Sequence, residues 1–162
     1  MGELKLDEID RSILQVLQRD AGLSNAEVAA RVGLSASPCW RRIQRLEQDG
    51  AIRGRVALLD PGALGLSVIV FAQVKLSAHG RRALPEFEEA ICQFPEVLEC
   101  YTVTGDTDFV LRILTRNIES YEQLLRGRLL QLPHVGEVHS TIALTQVKYT
   151  TELPLRCAGD PA

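Results

Sequence analysis

No stretch of this sequence is both apolar enough and long enough to cross a bilayer, so no helical membrane span is expected. The opening residues, MGELKLDEIDR, are charged and have no apolar centre, which is not the pattern of a signal peptide. Four cysteines stand at 39, 92, 100 and 157, and no two form a C-x-x-C pair. That argues against a disulfide framework and leaves reduced, mostly buried thiols as the expectation. No ligand spacing links these cysteines to His79, His134 or His139, so no metal site is expected. Phosphate loops and nucleophile motifs are also missing. A general excess of positive charge is missing too. The net charge of −3 excludes a protein that grips polyanions by bulk charge alone. Together these absences describe a cytoplasmic, non-catalytic protein with no cofactor, no metal and no membrane partner.

The 46% hydrophobic and 24% charged residues are those of a globular protein, and 162 residues suffice for one ordinary domain or two small ones. The charge is uneven. The first sixty residues carry nine basic and nine acidic side chains, whereas the rest carry nine basic and twelve acidic. An anionic partner would meet the first part.

One stretch organises that part: LSASPCWRRIQRLEQDGAI, residues 34–52. Ser35 and Ser37 are candidate helix N-caps, Pro38 suits a first turn, and Gly50 suits the position after the last turn. Cys39, Ile43 and Leu46 recur at helical spacing and form a buried stripe. Arg41, Gln44, Arg45 and Gln48 fall on the opposite face, which is rich in donors and free of acids. Guanidinium and amide groups of this kind read base edges and hold phosphates. Between residues 37 and 55, five arginines stand against Glu47 and Asp49. Arg41 and Arg45 are the expected readers. Arg42 lies nearer the side of the helix, in a structural place. Ser35 and Ser37 are placed to bond phosphates at the helix N-terminus. Trp40 lies between the two faces and is expected to pack in the core, with a phosphate contact from its N–H as the alternative.

Two helices are predicted upstream. Asp7 caps the first, which carries Ile9, Ile13, Val16 and Leu17 at helical spacing. Ser24 and Glu27 form a capping box for the second, with Val28, Ala29 and Val32 inward and Gly33 as its stop. Two short helices joined by a tight glycine turn, the second with the arginine face, make a helix-turn-helix.

Leu6-Asp7, Asp10-Arg11, Ile13-Leu14, Gly33-Leu34-Ser35, Arg42-Ile43, Arg45-Leu46-Glu47, Gly50 and Ile52 carry a family pattern. The sequence resembles the Lrp/AsnC (leucine-responsive, feast/famine) bacterial transcription regulators through nearly its whole length. Ser-Pro-Cys-Trp-Arg-Arg, residues 37–42, is similar to one subgroup of them.

Residues 53–59 are β-prone, and Asp60-Pro61-Gly62 breaks the segment. By the resemblance, a strand here links two domains and helps hold two subunits together. Strands are then predicted at 68–76, 97–104, 109–115 and 135–145, with helices at 83–94 and 118–132. The order βαββαβ is ferredoxin-like. The two helices cover one sheet face and leave the other as an association surface.

The turn Gly105-Asp106-Thr107-Asp108 has a plain reading, because glycine and aspartate are what a hairpin turn needs. Two carboxylates also raise acid–base catalysis, for which no partner stands nearby in sequence. The resemblance implies a third reading: residues 103–108 help to form an amino-acid effector site between subunits. Backbone amides would take the effector's carboxylate and Asp106 and Asp108 its ammonium. Thr102, Thr104, Gly105, Gly136, Glu137 and Val138 are the further candidates for that site.

The expectation is an α+β chain in two domains. Residues 1–52 form a three-helix, winged-type helix-turn-helix; 53–66 a linking strand and hinge; 67–150 an effector-binding and oligomerisation domain; 151–162 a loose tail. Its DNA-binding candidates are Ser35, Ser37, Pro38, Trp40, Arg41, Arg42, Gln44 and Arg45. The implied function is transcription regulation of amino-acid metabolism, with duplex DNA, a small amino acid and further copies of the chain (a dimer, by resemblance an octamer) as partners. An architectural DNA-binding protein without ligand control and an enzyme of amino-acid metabolism are the rival readings.

Overall fold

In the computed structural model, residues 4–77 and 84–155 are described. The chain divides into two compact units: residues 1–58 with the segment from 148 onward, and residues 59–147.

The first unit begins with α1 (Glu8–Arg19). Asp7 caps it by accepting from the Asp10 N–H at 2.7 Å, while Asp10 accepts from the Asp7 N–H at 3.2 Å. Ser24 and Glu27 exchange the same pair of bonds at the start of α2 (Asn25–Arg31). Gly33 turns the chain at φ +69°, where an L side chain would be strained. Then α3 (Ala36–Gln48) begins, capped by Ser35 rather than Ser37. Ser35 makes no side-chain capping bond. Pro38 occupies the third helical position, so one of the N–H groups that a capping hydroxyl would accept from does not exist. Ile13, Leu17, Val28, Ala29, Cys39, Ile43 and Leu46 form the buried core of this unit.

Residues 53–59 form no strand in the single chain, contrary to expectation. Val56 is 80% exposed and Leu59 71%. A β-prone segment becomes a strand only by pairing, and no described segment pairs with this one. The expected loose tail is also different. Over 152–155 it lies along α1, where the Gln18 amide donates to the Leu153 carbonyl at 3.1 Å and accepts from its N–H at 2.9 Å. Gln15 donates to the Leu155 carbonyl, and Arg19 pairs with Glu152. An apolar cleft of about 690 Å³, lined by Leu6, Leu14, Leu17, Ile52, Val56 and Leu153 among others, runs through this unit.

The second unit contains β1 (Val68–Leu76), α4 (Leu84–Ile91), β2 (Val97–Thr102), β3 (Phe109–Thr115), α5 (Ile118–Gly127) and β4 (Val135–Ile142), with a 3₁₀ turn at Leu129–Gln131. The sheet order is β2-β3-β1-β4 and each neighbouring pair is antiparallel. The start predicted for α4, at 83, lies outside the described residues. Period-two alternation puts Val70, Ala72, Val74, Leu111 and Ile113 against Phe87, Ile91, Tyr121 and Leu124 of the helices. Phe87 and Phe109 stack at 4.5 Å between centroids. The opposite face carries Phe71, Lys75, Arg112, Tyr101, Glu137 and Thr141, with Phe71 and Tyr101 exposed. On it Arg112 donates to Glu99 at 2.5 and 2.8 Å.

Among the cysteines, Cys39 is buried, Cys100 half-buried and Cys92 exposed, so Cys92 departs from the buried expectation. Burial pushes the Cys100 thiol up to about 11. Cys157 and His79 lie outside the described residues.

Candidate DNA-reading face and effector turn

The orientation of α3 follows from its buried stripe. With Cys39, Ile43 and Leu46 in the core, Ser37, Arg41 and Gln48 stand exposed on the far side. Gln44 is half-buried and donates to Glu47 at 2.9 Å, and Glu47 also accepts from Arg55 at 3.1 Å. Ser35 is exposed and Pro38 half-buried at the helix start.

The four long side chains at 40, 41, 42 and 45 have separate surroundings. Arg41 is exposed and has no ion-pair partner among the described residues. Arg42 Nη1 donates to Asp7 Oδ2 at 2.6 Å and to Asp10 Oδ1 at 2.8 Å. Arg45 Nη2 donates to Asp10 Oδ2 at 2.5 Å. Asp10 is only 1% exposed, so a buried carboxylate on α1 joins two guanidiniums on α3. The Asp10 N–H, and then Arg42, hold the Asp7 carboxyl below its ordinary 3.8. Asp7 and Asp10 in turn raise Arg42. Trp40 is 54% exposed, which overturns its expected core packing. The stripe is already filled by Cys39 and Ile43, and the indole projects beside it.

In the second unit, two candidate segments meet at the end of β1. Val103 N–H donates to the Asp108 carbonyl and Asp108 N–H to the Val74 carbonyl, both at 3.0 Å. The sheet register slips between Lys75 and Leu76. Asp108 Oδ2 accepts from the Leu76 N–H at 2.7 Å there, completing a backbone donor next to the slip. Gly136 lies against the same strand end, where an added Cβ would come 3.2 Å from the Ser77 nitrogen and 3.3 Å from the Lys75 carbonyl oxygen. Any larger residue would have to push that backbone aside by a few tenths of an ångström. Thr102, Thr104, Gly105 and Asp106 are exposed, and Gly105 takes φ +120°. Glu137 pairs across the sheet with Lys75 and lies 3.1 Å from His139 Nε2.

Residues 6–53 match the winged helix-turn-helix DNA-binding family, and residues 69–153 match the Lrp/AsnC ligand binding domain. The chain belongs to the Lrp/AsnC family. It is a DNA-binding transcription regulator. It is 38% identical over 151 residues to the leucine-responsive regulatory protein of Escherichia coli (strain K12), covering 93% of this chain and 92% of that protein. A crystal structure of an AsnC family transcriptional regulator from Agrobacterium tumefaciens is 44% identical with a TM-score of 0.88, covering 93% of this chain and 97% of the other. A transcriptional regulator from Neisseria meningitidis, solved as an L-Met complex, is 36% identical with a TM-score of 0.89 over the same shares.

In this Lrp/AsnC chain, three of the candidate side chains also have partners within the fold. Arg45 does not stand free on the far face, because Asp10 holds one of its nitrogens. One oxygen of Asp108, Oδ2, accepts from the Leu76 N–H. Val138 pairs with Val74 and packs against the core of the second unit. In the sequence Asp10 stands out only as part of the family pattern, and its ion pairs do not show. The available signal was the spacing: aspartates at 7 and 10 against arginines at 42 and 45, each pair three residues apart on one helical face. Among the described residues no group of three or more His, Cys, Asp or Glu is placed to hold a metal ion, and no helix is long and apolar enough to cross a membrane.

Proposed function

We propose that this regulator reads duplex DNA in the major groove with the exposed face of α3, acting in the cytoplasm on genes of amino-acid metabolism. Arg41 is the main base or phosphate contact, with Ser37, Gln44 and Trp40 beside it and Ser35 and Pro38 at the helix start. The observation that carries this is the contrast along α3. Arg42 is bound by two carboxylates, whereas Arg41, on the exposed side, has no ion-pair partner among the described residues. An exposed arginine with its donors unused can meet an anion or a base edge.

A free amino acid is the effector in this reading. The exposed turn Thr104-Gly105-Asp106, with Thr102 and Glu137 nearby, supplies backbone donors for its carboxylate and carboxylates for its ammonium. The L-Met complex of the Neisseria relative supports that chemistry. The open sheet face and the unpaired segment 53–59 support assembly into a dimer, and an octamer at the next level.

The test is a thermal-shift screen of the twenty amino acids, run beside fluorescence anisotropy on duplex DNA selected by the protein from a random pool. At least one amino acid should raise melting and change DNA affinity. If none does either, ligand control fails and an architectural role takes its place.

A further inference from the structure

We infer that Asp10, on α1, is a positioning residue for DNA binding: it holds Arg45 at the edge of the reading face so that the remaining guanidinium donors meet a backbone phosphate. This rests on α3 being the DNA-contacting helix.

The geometry supports a division of labour. Arg42 is bound to both Asp7 and Asp10 and is 27% exposed, so its donors are largely used internally. Arg45 gives up one terminal nitrogen to Asp10 and is 49% exposed, so about half of the side chain remains open to solvent. It flanks the face of Ser37, Arg41 and Gln48 on the side toward α1, where a helix seated in a groove meets the sugar-phosphate wall rather than the base edges. Asp10 is itself buried, with Arg42 balancing its charge, so it can anchor a cation without presenting an anion to DNA. An arginine already fixed loses less freedom on contact than one gathered from solvent.

Simple charge counting predicts the opposite sign. Removing a carboxylate from the DNA-binding unit should tighten DNA binding. Positioning predicts that Asp10→Asn weakens it, by ~2- to 10-fold from the ordering cost of one long side chain. Arg45→Gln should weaken it too and lower the slope of log K against log salt by ~0.9, the loss of one phosphate contact. In the Arg45→Gln background, Asp10→Asn should cause no further loss. The full chain is used throughout, on the DNA selected by the wild type, well below the melting point of every variant. If Asp10→Asn leaves affinity unchanged or raises it, the proposal is wrong. It is equally wrong if Asp10→Asn costs as much with Arg45 already replaced, because that means α3 has shifted as a body. Should Asp10→Asn fail to fold, side-chain relaxation of the arginine Nε–Hε groups in the free wild type decides. Arg45 must be as rigid as Arg42, with Arg41 mobile; an Arg45 as mobile as Arg41 overturns the proposal. A wild type that selects no DNA removes the DNA-binding reading itself, whereas a wild type that binds with Asp10 silent removes only the positioning role.

Discussion

Arg41 and Arg42 are neighbours in sequence, and replacing each with alanine should separate DNA contact from stability. Arg41 is exposed and has no ion-pair partner among the described residues, so Arg41→Ala should change stability by no more than ~0.5 kcal/mol. Its loss should fall on DNA instead. A bidentate base contact is worth ~1–3 kcal/mol, and a phosphate contact removes about one unit of salt slope. The affinity loss is then ~5- to 150-fold. Arg42→Ala removes two charge-assisted bonds, one of them to a carboxylate that is 1% exposed. Breaking a fully buried pair costs ~3–5 kcal/mol, but Arg42 is partly exposed and Arg45 still reaches Asp10, so about 2 kcal/mol is the better figure. For a chain of 162 residues that lowers melting by ~4–8 °C. Scanning calorimetry and anisotropy titrations at several salt concentrations measure both. A fall in melting in Arg41→Ala as large as in Arg42→Ala would refute the reasoning, as would an unchanged Arg42→Ala melt.

Asp108→Ala should destabilise the second unit by ~1–3 kcal/mol in denaturant unfolding, because the buried Leu76 N–H loses its acceptor. Asp106→Ala should leave stability alone but shrink the melting shift from the effector, which in the wild type corresponds to ~2.7 kcal/mol at a hundredfold excess over Kd; an undiminished shift places the ligand elsewhere. Phe71→Asp puts a charge on the open sheet face and should produce monomers in light scattering at concentrations where the wild type associates. Asp7 and Glu99 are held below their ordinary 3.8 and 4.5, the first chiefly by the Asp10 N–H and the second chiefly by Arg112, so both stabilise the fold above those values. Melting should therefore hold steady down to about pH 5 and then fall, and Glu99→Gln should flatten that fall; a flat wild-type profile to pH 3 contradicts the pairing.

What was legible in the sequence is what short-range chemistry determines. The caps at Asp7 and Ser24, the core stripe of α3 and the exact span of β3 all depend on residues within a few positions of each other. The features that were not legible depend on distant partners. Arg45 was assigned to the far face by helical spacing alone, yet its partner Asp10 lies 35 residues away. Asp108 looked like turn chemistry, and its acceptor role exists only because the β1 register slips beside Leu76. Trp40 is hydrophobic, which suggests the core, but it lies beside the Cys39, Ile43 and Leu46 stripe and stays 54% exposed. The segment 53–59 has strand composition, but composition supplies no partner.

The hydrogen-bonded return of residues 152–155 to α1 bears on how this molecule can be cut and recombined. The DNA-binding unit is discontinuous: the chain leaves it at Leu58 and re-enters at Lys148, so the second unit is an insertion within it. A fragment ending at residue 58 would strip Gln18 of both its backbone partners and remove Leu153 from the cleft beside Leu14 and Leu17. A chimera meant to give this reader a foreign sensor is therefore best spliced at two junctions, with the new domain entering after 58 and leaving before 148, rather than fused to a truncated head.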